Sequence, residues 1–346
     1  MLIEAGRPTL AISSRDLARA RYDARGIHLE GRRAELDALR AMGTRDASSG
    51  RLYEGHFNGV LLVALYGTPE QRDRAERDVA AGHLFGVWNT QDQDGLSIAT
   101  DDASLTLRGS KTWASGADCV TRALVTALRD DGTLQMCLVP LDRHPRNIDD
   151  RAWRPLGMHA SNSFRISFDG IRLDPSDLIG APNDYERAPW FAGGALRFVA
   201  THVGIIERLT AETRAYLVAQ KRSDDPLQRA RAGEMRIATR AALNWVRAGE
   251  EAWTAYDDRP SAETAANVVD VVDMARLAVE RAGLDVIERA VRGVGARGLL
   301  EPLPFAPLVR DLEMYLRQPA PDATLLRVGS NGMPSSAAQR SARIAD

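Results

Sequence analysis

A lysine, a tryptophan and a serine alternate along one short segment of the chain. Residues 105–118 read LTLRGSKTWASGAD, which predicts a strand, a tight turn at the Gly-Ser pair and a second strand carrying Lys111, Trp113 and Ser115. Because side chains alternate between the two faces of a strand, these three are expected to share one face. An indole plane beside a hydroxyl and a cation suits a flat, polar ring system such as a flavin. An ordinary amphipathic hairpin strand has the same pattern.

A second group suited to chemistry is His56, which lies between Glu54 and Asn58 in a segment of helical pattern. Histidine is the side chain best suited to proton transfer near neutral pH. The position also fits a histidine that only satisfies hydrogen bonds in a core or at a helix cap. The sequence leaves both interpretations open.

Three segments of the chain differ in their pattern of apolar and polar residues, and the elements they form must position these groups. From residue 14 to about 81, apolar residues recur at three- and four-residue spacing between polar caps, which predicts helices. Short alternating runs from about 84 to 175 predict an antiparallel β-domain, either a barrel or a sandwich. Long helical patterns follow from about 190. We therefore predict an α+β multi-domain protein with a helical domain at 1–82, a β-domain at 83–178 and a four-helix bundle at 179–346.

Composition limits the classes of function. The chain has 346 residues, more than one core usually supports, and its net charge of -2 argues against a nucleic-acid partner. Its two cysteines, Cys119 and Cys137, form neither a disulfide framework nor a metal-binding spacing, so no metal site is predicted. The N-terminus lacks the pattern of a secretory signal and no apolar run is long enough for a membrane span. We expect a cytoplasmic protein without a membrane partner.

The order of helical domain, β-domain and bundle, with KTWASGAD in the middle, resembles the acyl-CoA dehydrogenase superfamily of flavoproteins. Four stretches carry the resemblance, and it covers nearly the whole chain. They are FGVWNTQDQDG, GSKTWASGAD, GMHASNSFRISFDGIRLDPSDLIG and the run from the GVG segment at Gly293 to the pair Arg310-Asp311. The second and third are fairly specific in combination, whereas the first is a degenerate version of the family's loop.

The resemblance implies a set of flavin contacts in the β-domain. Trp113 would stack beside the isoalloxazine ring and Ser115 would bond the reactive flavin nitrogens. Asn89 and Thr90, on the neighbouring loop, would line the same ring. These roles agree with the chemistry of the face formed by the KTWAS strand.

The resemblance also implies FAD and a partner subunit. Arg222 matches an arginine that reaches from one subunit to the flavin pyrophosphate of another, a contact suited to a guanidinium group. Gly293 and Gly295 match a glycine pair against which the adenylate half lies closely. A shared cofactor implies a homodimer or homotetramer. Without the family match, Arg222 would be read as a solvated loop arginine.

The chain departs from the family at the catalytic base. The dehydrogenases use a glutamate to remove the α-proton of a thioester while the flavin accepts hydride. In most members that glutamate lies where this chain has QPAP at 318–321, and in others it lies where this chain has Leu196. Asp322 is the nearest substitute, although an exposed turn aspartate has the same pattern. Glu186 and Glu301 are further candidates without better support.

Three functions remain open on these grounds. The first is a flavin-dependent oxidoreductase that oxidises an acyl thioester, such as a CoA thioester, and passes electrons to an acceptor. The second is a monooxygenase of the same fold that receives reduced flavin from a reductase, with His56, Asn89 and Ser115 as its polar groups and the histidine as proton donor. The third is a degenerate scaffold that binds a partner protein. The sequence favours the first of these.

Overall fold

The structure is a computed structural model that describes residues 21–23, 26–28, 32–101, 104–317 and 320–333. The chain forms two compact units, unit 1 at Met1–Arg187 and unit 2 at Ala188–Asp346. The domain boundaries expected at 82/83 and 178/179 stay predictions. The fold class is confirmed, because helices precede a β-region that is followed by a helical bundle.

Unit 1 begins with a short hairpin and three helices whose caps follow from the sequence. Asp46 caps the second helix by accepting from the backbone nitrogen of Ser49 at 2.6 Å. Thr68 and Gln71 form a capping box on the third, with Pro69 in its first turn. The hairpin strands are β1 (Arg21–Asp23) and β2 (Gly26–His28), and the helices are α1 (Arg32–Arg45), α2 (Ala47–Tyr66) and α3 (Pro69–Ala80).

Two further sheets form the β-region of unit 1. The larger has the order β11-β5-β4-β7-β8-β12, with β3 paired to β7, and the smaller has the order β6-β10-β9. The strands are β3 (Phe85–Trp88), β4 (Ser97–Asp101), β5 (Ser104–Arg108), β6 (Ser110–Ala114), β7 (Arg122–Leu128), β8 (Leu134–Pro140), β9 (Asn147–Asp149), β10 (Phe164–Ser167), β11 (Arg172–Leu173) and β12 (Leu178–Ile179). Most pairs are antiparallel as predicted, but β3 and β4 each pair with β7 in parallel. Among the described strands the sheets do not close into a barrel.

The two strands and the turn predicted within residues 105–118 are present, but the strands do not pair with each other as a hairpin would. Strand β5 belongs to the larger sheet and β6 to the smaller one, so Gly109 passes the chain from one sheet to the other. Its φ of +100° and the carbonyl oxygen of Gly95, 1.7 Å from where a Cβ would lie, exclude any side chain there. Its amide donates to Asp169 Oδ1 at 2.6 Å instead of closing a hairpin.

Unit 2 consists of helices, as the sequence predicts. Asp225 and Ser261 cap the two longest ones through their side chains. The helices are α4 (Trp190–Gly193), α5 (Leu196–Ala219), α6 (Pro226–Asp258), α7 (Ala262–Gly298), α8 (Phe305–Leu316) and α9 (Pro321–Gly332). Within the described parts of the chain, no helix is both long enough and apolar enough to cross a membrane.

Candidate functional site

Strand β6 contains a bulge centred on Trp113. Opposite β10, Lys111 pairs with Ile166 and Ala114 with Phe164, so three steps on β6 match two on β10. Trp113 has a φ of +55°, a left-handed conformation that is unusual for a bulky residue. Lys111 is fully buried, whereas Trp113 is 47% exposed. The predicted common face for Lys111, Trp113 and Ser115 is therefore wrong, because the bulge interrupts the alternation.

The exposed indole of Trp113 has an aromatic neighbour that fixes its orientation. The ring of Trp153 meets it edge to face, with centroids 5.8 Å apart and planes at 87°. Trp153 is itself held by its indole nitrogen, which donates to the carbonyl oxygen of His159 at 3.1 Å. The structure thus presents a flat aromatic surface in a defined orientation.

The loop after β3 is tied to β6 by the buried Lys111. Its Nζ donates to the carbonyl oxygen of Asn89 at 3.0 Å and to Thr126 Oγ1 at 3.1 Å. Thr126 in turn donates to Asn89 Oδ1 at 2.6 Å. Burial lowers the pKa of Lys111 to about 7. With Oδ1 occupied, the amide nitrogen of Asn89 is the end of that side chain that can donate to a ligand.

Thr90 and Ser115 belong to the same neighbourhood of unit 1. The amide of Thr112 donates to the carbonyl oxygen of Thr90 at 3.4 Å, and the indole nitrogen of Trp88 donates to the carbonyl oxygen of Ser115 at 3.0 Å. The structure therefore brings the predicted flavin contacts Asn89, Thr90, Trp113 and Ser115 to adjoining segments. Their roles toward a flavin stay predictions.

Ser115 also begins a chain of three hydroxyl groups. Its Oγ lies 2.9 Å from Ser163 Oγ, which lies 2.9 Å from Ser161 Oγ. Ser161 and Ser163 are 2% and 8% exposed, whereas Ser115 is half-buried. The hydroxyl chain thus runs from the predicted flavin contact into the interior of unit 1.

His56 is a buried residue that links α2 to β3. Its Nδ1 accepts from the backbone amide of Phe85 at 3.0 Å, and its ring lies among those of Phe57 and Phe85. Burial lowers its pKa from 6.5 to about 4, so the imidazole is neutral at neutral pH and carries its proton on Nε2. Its contact is with the first residue of β3, whereas Asn89 follows the last. Its predicted catalytic role stays a prediction.

In unit 2 the structure brings the predicted arginine and one of the predicted glycines together. A terminal guanidinium nitrogen of Arg222 donates to the carbonyl oxygen of Gly293 at 3.1 Å and the other lies 4.0 Å from Asp225. Gly295 has a φ of +68° and interrupts the helical conformation of α7. A Cβ on Gly293 would lie 3.3 Å from the side-chain amide of Gln228. Whether these residues contact a flavin stays a prediction.

The candidates for a catalytic base lie in ordinary surroundings. Asp322 is exposed in the first turn of α9, where a carboxylate is favourable for the helix dipole. Glu186 and Glu301 are exposed, and Leu196 is a core residue of α5. Asp322 remains a predicted base without a contact that distinguishes it from a helix-terminus aspartate.

Sequence reasoning missed four residues of this site. Thr126 had a detectable signal, because it is a lone polar residue inside the apolar run ALVTAL. Trp153, Ser161 and Ser163 had none, because their partners Trp113 and Ser115 are distant in sequence.

Comparison with known proteins gives relatives in sequence and in structure, although no family model matches the chain. A dibenzothiophene monooxygenase from Mycolicibacterium goodii is 26% identical over 297 residues, which covers 76% of this chain and 71% of the relative. The very long-chain specific acyl-CoA dehydrogenase of Mus musculus mitochondria is 23% identical over 214 residues, 55% of this chain and 32% of the relative. The crystal structure of TdsC from Paenibacillus sp. A11-2 with FMN and indole has the same fold, with a TM-score of 0.77 and 22% identity over 86% of this chain and 82% of that chain.

Proposed function

We propose that this chain, which resembles the acyl-CoA dehydrogenase superfamily in its fold and in its relatives, is a monooxygenase that uses reduced FMN. The sequence favoured the acyl thioester dehydrogenase instead. The monooxygenase relative supports the change, because its match covers more of this chain than the dehydrogenase match does.

The observation that carries the proposal is the absence of a carboxylate at both usual places for the base. Leu196 occupies one, where it is a buried apolar residue of α5. QPAP at 318–321 occupies the other in the sequence. Removal of an α-proton requires a positioned base, whereas oxygenation by reduced flavin does not use that glutamate. At these two positions the chain lacks the carboxylate base that a dehydrogenase needs and that a monooxygenase can do without.

The residues of unit 1 fit an isoalloxazine ring. Trp113 offers an exposed aromatic plane, the amide nitrogen of Asn89 can donate, and Ser115 carries a half-buried hydroxyl. We propose FMN in place of the predicted FAD, because TdsC contains FMN. The guanidinium group of Arg222, expected at the FAD pyrophosphate, also donates within its own unit to Gly293.

The chain's own residues bind and orient the cofactor in this mechanism. Bound reduced FMN would supply the two electrons that O₂ requires for insertion of one oxygen atom, with the other leaving as water. Trp113 gives the ring its stacking surface, in the orientation set by Trp153. Lys111 bonds the backbone carbonyl oxygen of Asn89 and Thr126 bonds its side-chain oxygen, so the amide nitrogen is the group of that side chain that can donate to the cofactor. Ser115 Oγ offers a hydroxyl that can donate or accept.

For the substrate we propose an aromatic sulfur compound of the dibenzothiophene kind, on the basis of the monooxygenase relative. Oxygenation of the sulfur gives a sulfoxide, water and oxidised FMN from the substrate, O₂ and reduced FMN. A flavin reductase is then the required partner, because it returns the flavin to the reduced state. A CoA thioester and the predicted homodimer or homotetramer are not needed by this proposal.

The test asks whether the protein carries out the dehydrogenase reaction that the proposal excludes. The protein loaded with FMN is mixed anaerobically with a panel of acyl-CoA thioesters while the visible absorbance of the flavin is recorded. We expect no bleaching with any thioester. Bleaching by a thioester would overturn the proposal, and its loss in Asp322→Asn but not in Glu301→Gln would then identify Asp322 as a relocated base.

A further inference from the structure

The hydroxyl chain Ser115–Ser163–Ser161 has a property that none of its members has alone. Both of its hydrogen bonds join two hydroxyl oxygens at 2.9 Å, and in each bond either oxygen can be the donor. A hydroxyl has one hydrogen to donate and two lone pairs that accept. The two protons of the bonds can therefore point outward to Ser115 or inward to Ser161 without any movement of the oxygen atoms.

We propose that Ser163 and Ser161 are positioning residues that let Ser115 donate to the oxidised flavin and accept from the reduced flavin. This inference rests on the proposed function. The flavin nitrogen N5 is an acceptor in the oxidised ring and carries a hydrogen in the reduced ring. A partner that serves both states must reverse its direction. The serine chain does so by rotation of hydroxyl hydrogens, and no covalent bond is formed or broken.

Ser163 matters more when Ser115 accepts a hydrogen bond from reduced FMN than when Ser115 donates one to oxidised FMN. When Ser115 accepts from reduced FMN, its own hydrogen needs an acceptor, which Ser163 Oγ provides at 2.9 Å. When Ser115 donates to oxidised FMN, Ser163 only fills a lone pair on Ser115. An unpaired donor in a buried place is less tolerable than an under-used acceptor. Loss of Ser163 should therefore weaken the binding of reduced FMN more than that of oxidised FMN.

The chain offers a matched control on β10, the strand that begins directly after Ser163. Ser167 is the last residue of β10 and is 9% exposed, but its hydroxyl donates to Asp169 at 2.9 Å and is not part of the hydroxyl chain. Ser163→Thr keeps a hydroxyl at the central position and serves as the conservative variant. Ser161→Ala removes the far end and should act in the same direction with a smaller effect.

The experiment measures the dissociation constants of oxidised and reduced FMN under anaerobic conditions for the wild type and each variant. We expect Ser163→Ala to lower the affinity for reduced FMN relative to oxidised FMN by about threefold to tenfold, the range of one net hydrogen bond. Ser167→Ala should leave the ratio unchanged and Ser163→Thr should restore it. If Ser163→Ala does not fold, Ser161→Ala carries the same test.

The outcomes separate the inference from the proposed function. Equal weakening of both forms of FMN, or no weakening, would overturn the role of the hydroxyl chain while leaving the monooxygenase proposal in place. A wild-type protein that binds neither form would overturn the proposed function and this inference with it.

Discussion

Trp113 holds a large aromatic side chain in a backbone conformation that glycine adopts far more readily. Such strain costs roughly 1–3 kcal/mol and persists where the surrounding structure or a function demands it. The residue's φ of +55° and its exposed fraction of 47% describe a ring held out of the core by the bulge in β6. We propose that this exposed ring stacks on the flavin.

Trp113→Gly tests whether that strain serves flavin binding. Glycine adopts positive φ freely, so we expect the free energy of unfolding to stay within about 1 kcal/mol of the wild-type value. The loss of the indole plane should lower FMN affinity about tenfold. Thermal unfolding and an FMN titration measure the two effects, and Trp153→Ala should show a smaller loss of affinity. Unchanged flavin binding in Trp113→Gly would show that the indole does not stack on the cofactor.

The burial of His56 predicts how the free energy of unfolding depends on pH. Its pKa of about 4 lies below the value of 6.5 expected in the unfolded chain, so the unfolded state binds more protons between these values. Its contribution to the free energy of unfolding is therefore complete above pH 6.5 and is lost as the pH falls toward 4. The total is roughly 3 kcal/mol.

The measurement is denaturant unfolding of the wild type and His56→Gln from pH 4 to pH 7.5. The difference between the two proteins should shrink as the pH falls through this window. A difference that is independent of pH would contradict the buried, neutral imidazole. FMN affinity measured in parallel shows whether His56 also acts on the cofactor.

At the scale of elements, the helices and most strands could be predicted from the sequence because their signals are local. Caps such as Asp46, Thr68 and Ser261 lie where the periodic patterns begin. The two strands around Gly109 were predicted, but their separation into different sheets was not, because a Gly-Ser turn does not indicate to which sheet the next strand belongs. The bulge in β6 could not be predicted from the sequence, because Trp113 is neither glycine nor asparagine, the usual residues at positive φ.

The loop after β3 depends on one buried lysine, which gives a prediction at this scale. Lys111→Met keeps the length of the side chain but removes the bonds to Asn89 and Thr126. The substitution leaves the carbonyl oxygen of Asn89 and the hydroxyl of Thr126 without this donor, which should lower the free energy of unfolding by about 1–3 kcal/mol. We expect a folded protein in which Asn89 is no longer held, with FMN affinity lowered about tenfold.

Titration with FMN and thermal unfolding together measure this effect. Lys221→Met is the matched control, because Lys221 is the other lysine of the chain and is exposed in unit 2. Equal FMN affinities for the two variants would show that the Lys111 contacts do not position the loop for a cofactor.

At the scale of the whole molecule, the order of helical, β and helical segments was enough to recognise the resemblance to the superfamily. The absence of the usual glutamate could also be seen in the sequence. The choice between dehydrogenase and monooxygenase could not be made from the sequence, because the sequence shows which residue is absent but not which reaction the protein catalyses without it. The hydroxyl chain and the Lys111 network were equally hidden, because hydrogen bonds between distant residues leave no periodic pattern.

We propose that this protein inserts an oxygen atom from O₂ into its substrate at the expense of reduced FMN. The most direct measurement supplies ¹⁸O₂, FMN and a flavin reductase with NADH to the protein and dibenzothiophene, followed by mass spectrometry of the product. We predict a sulfoxide whose oxygen carries the heavy isotope and which does not form when the reductase is omitted. A product whose oxygen comes from water, or no oxygenated product while acyl-CoA thioesters bleach the bound flavin, would contradict the account.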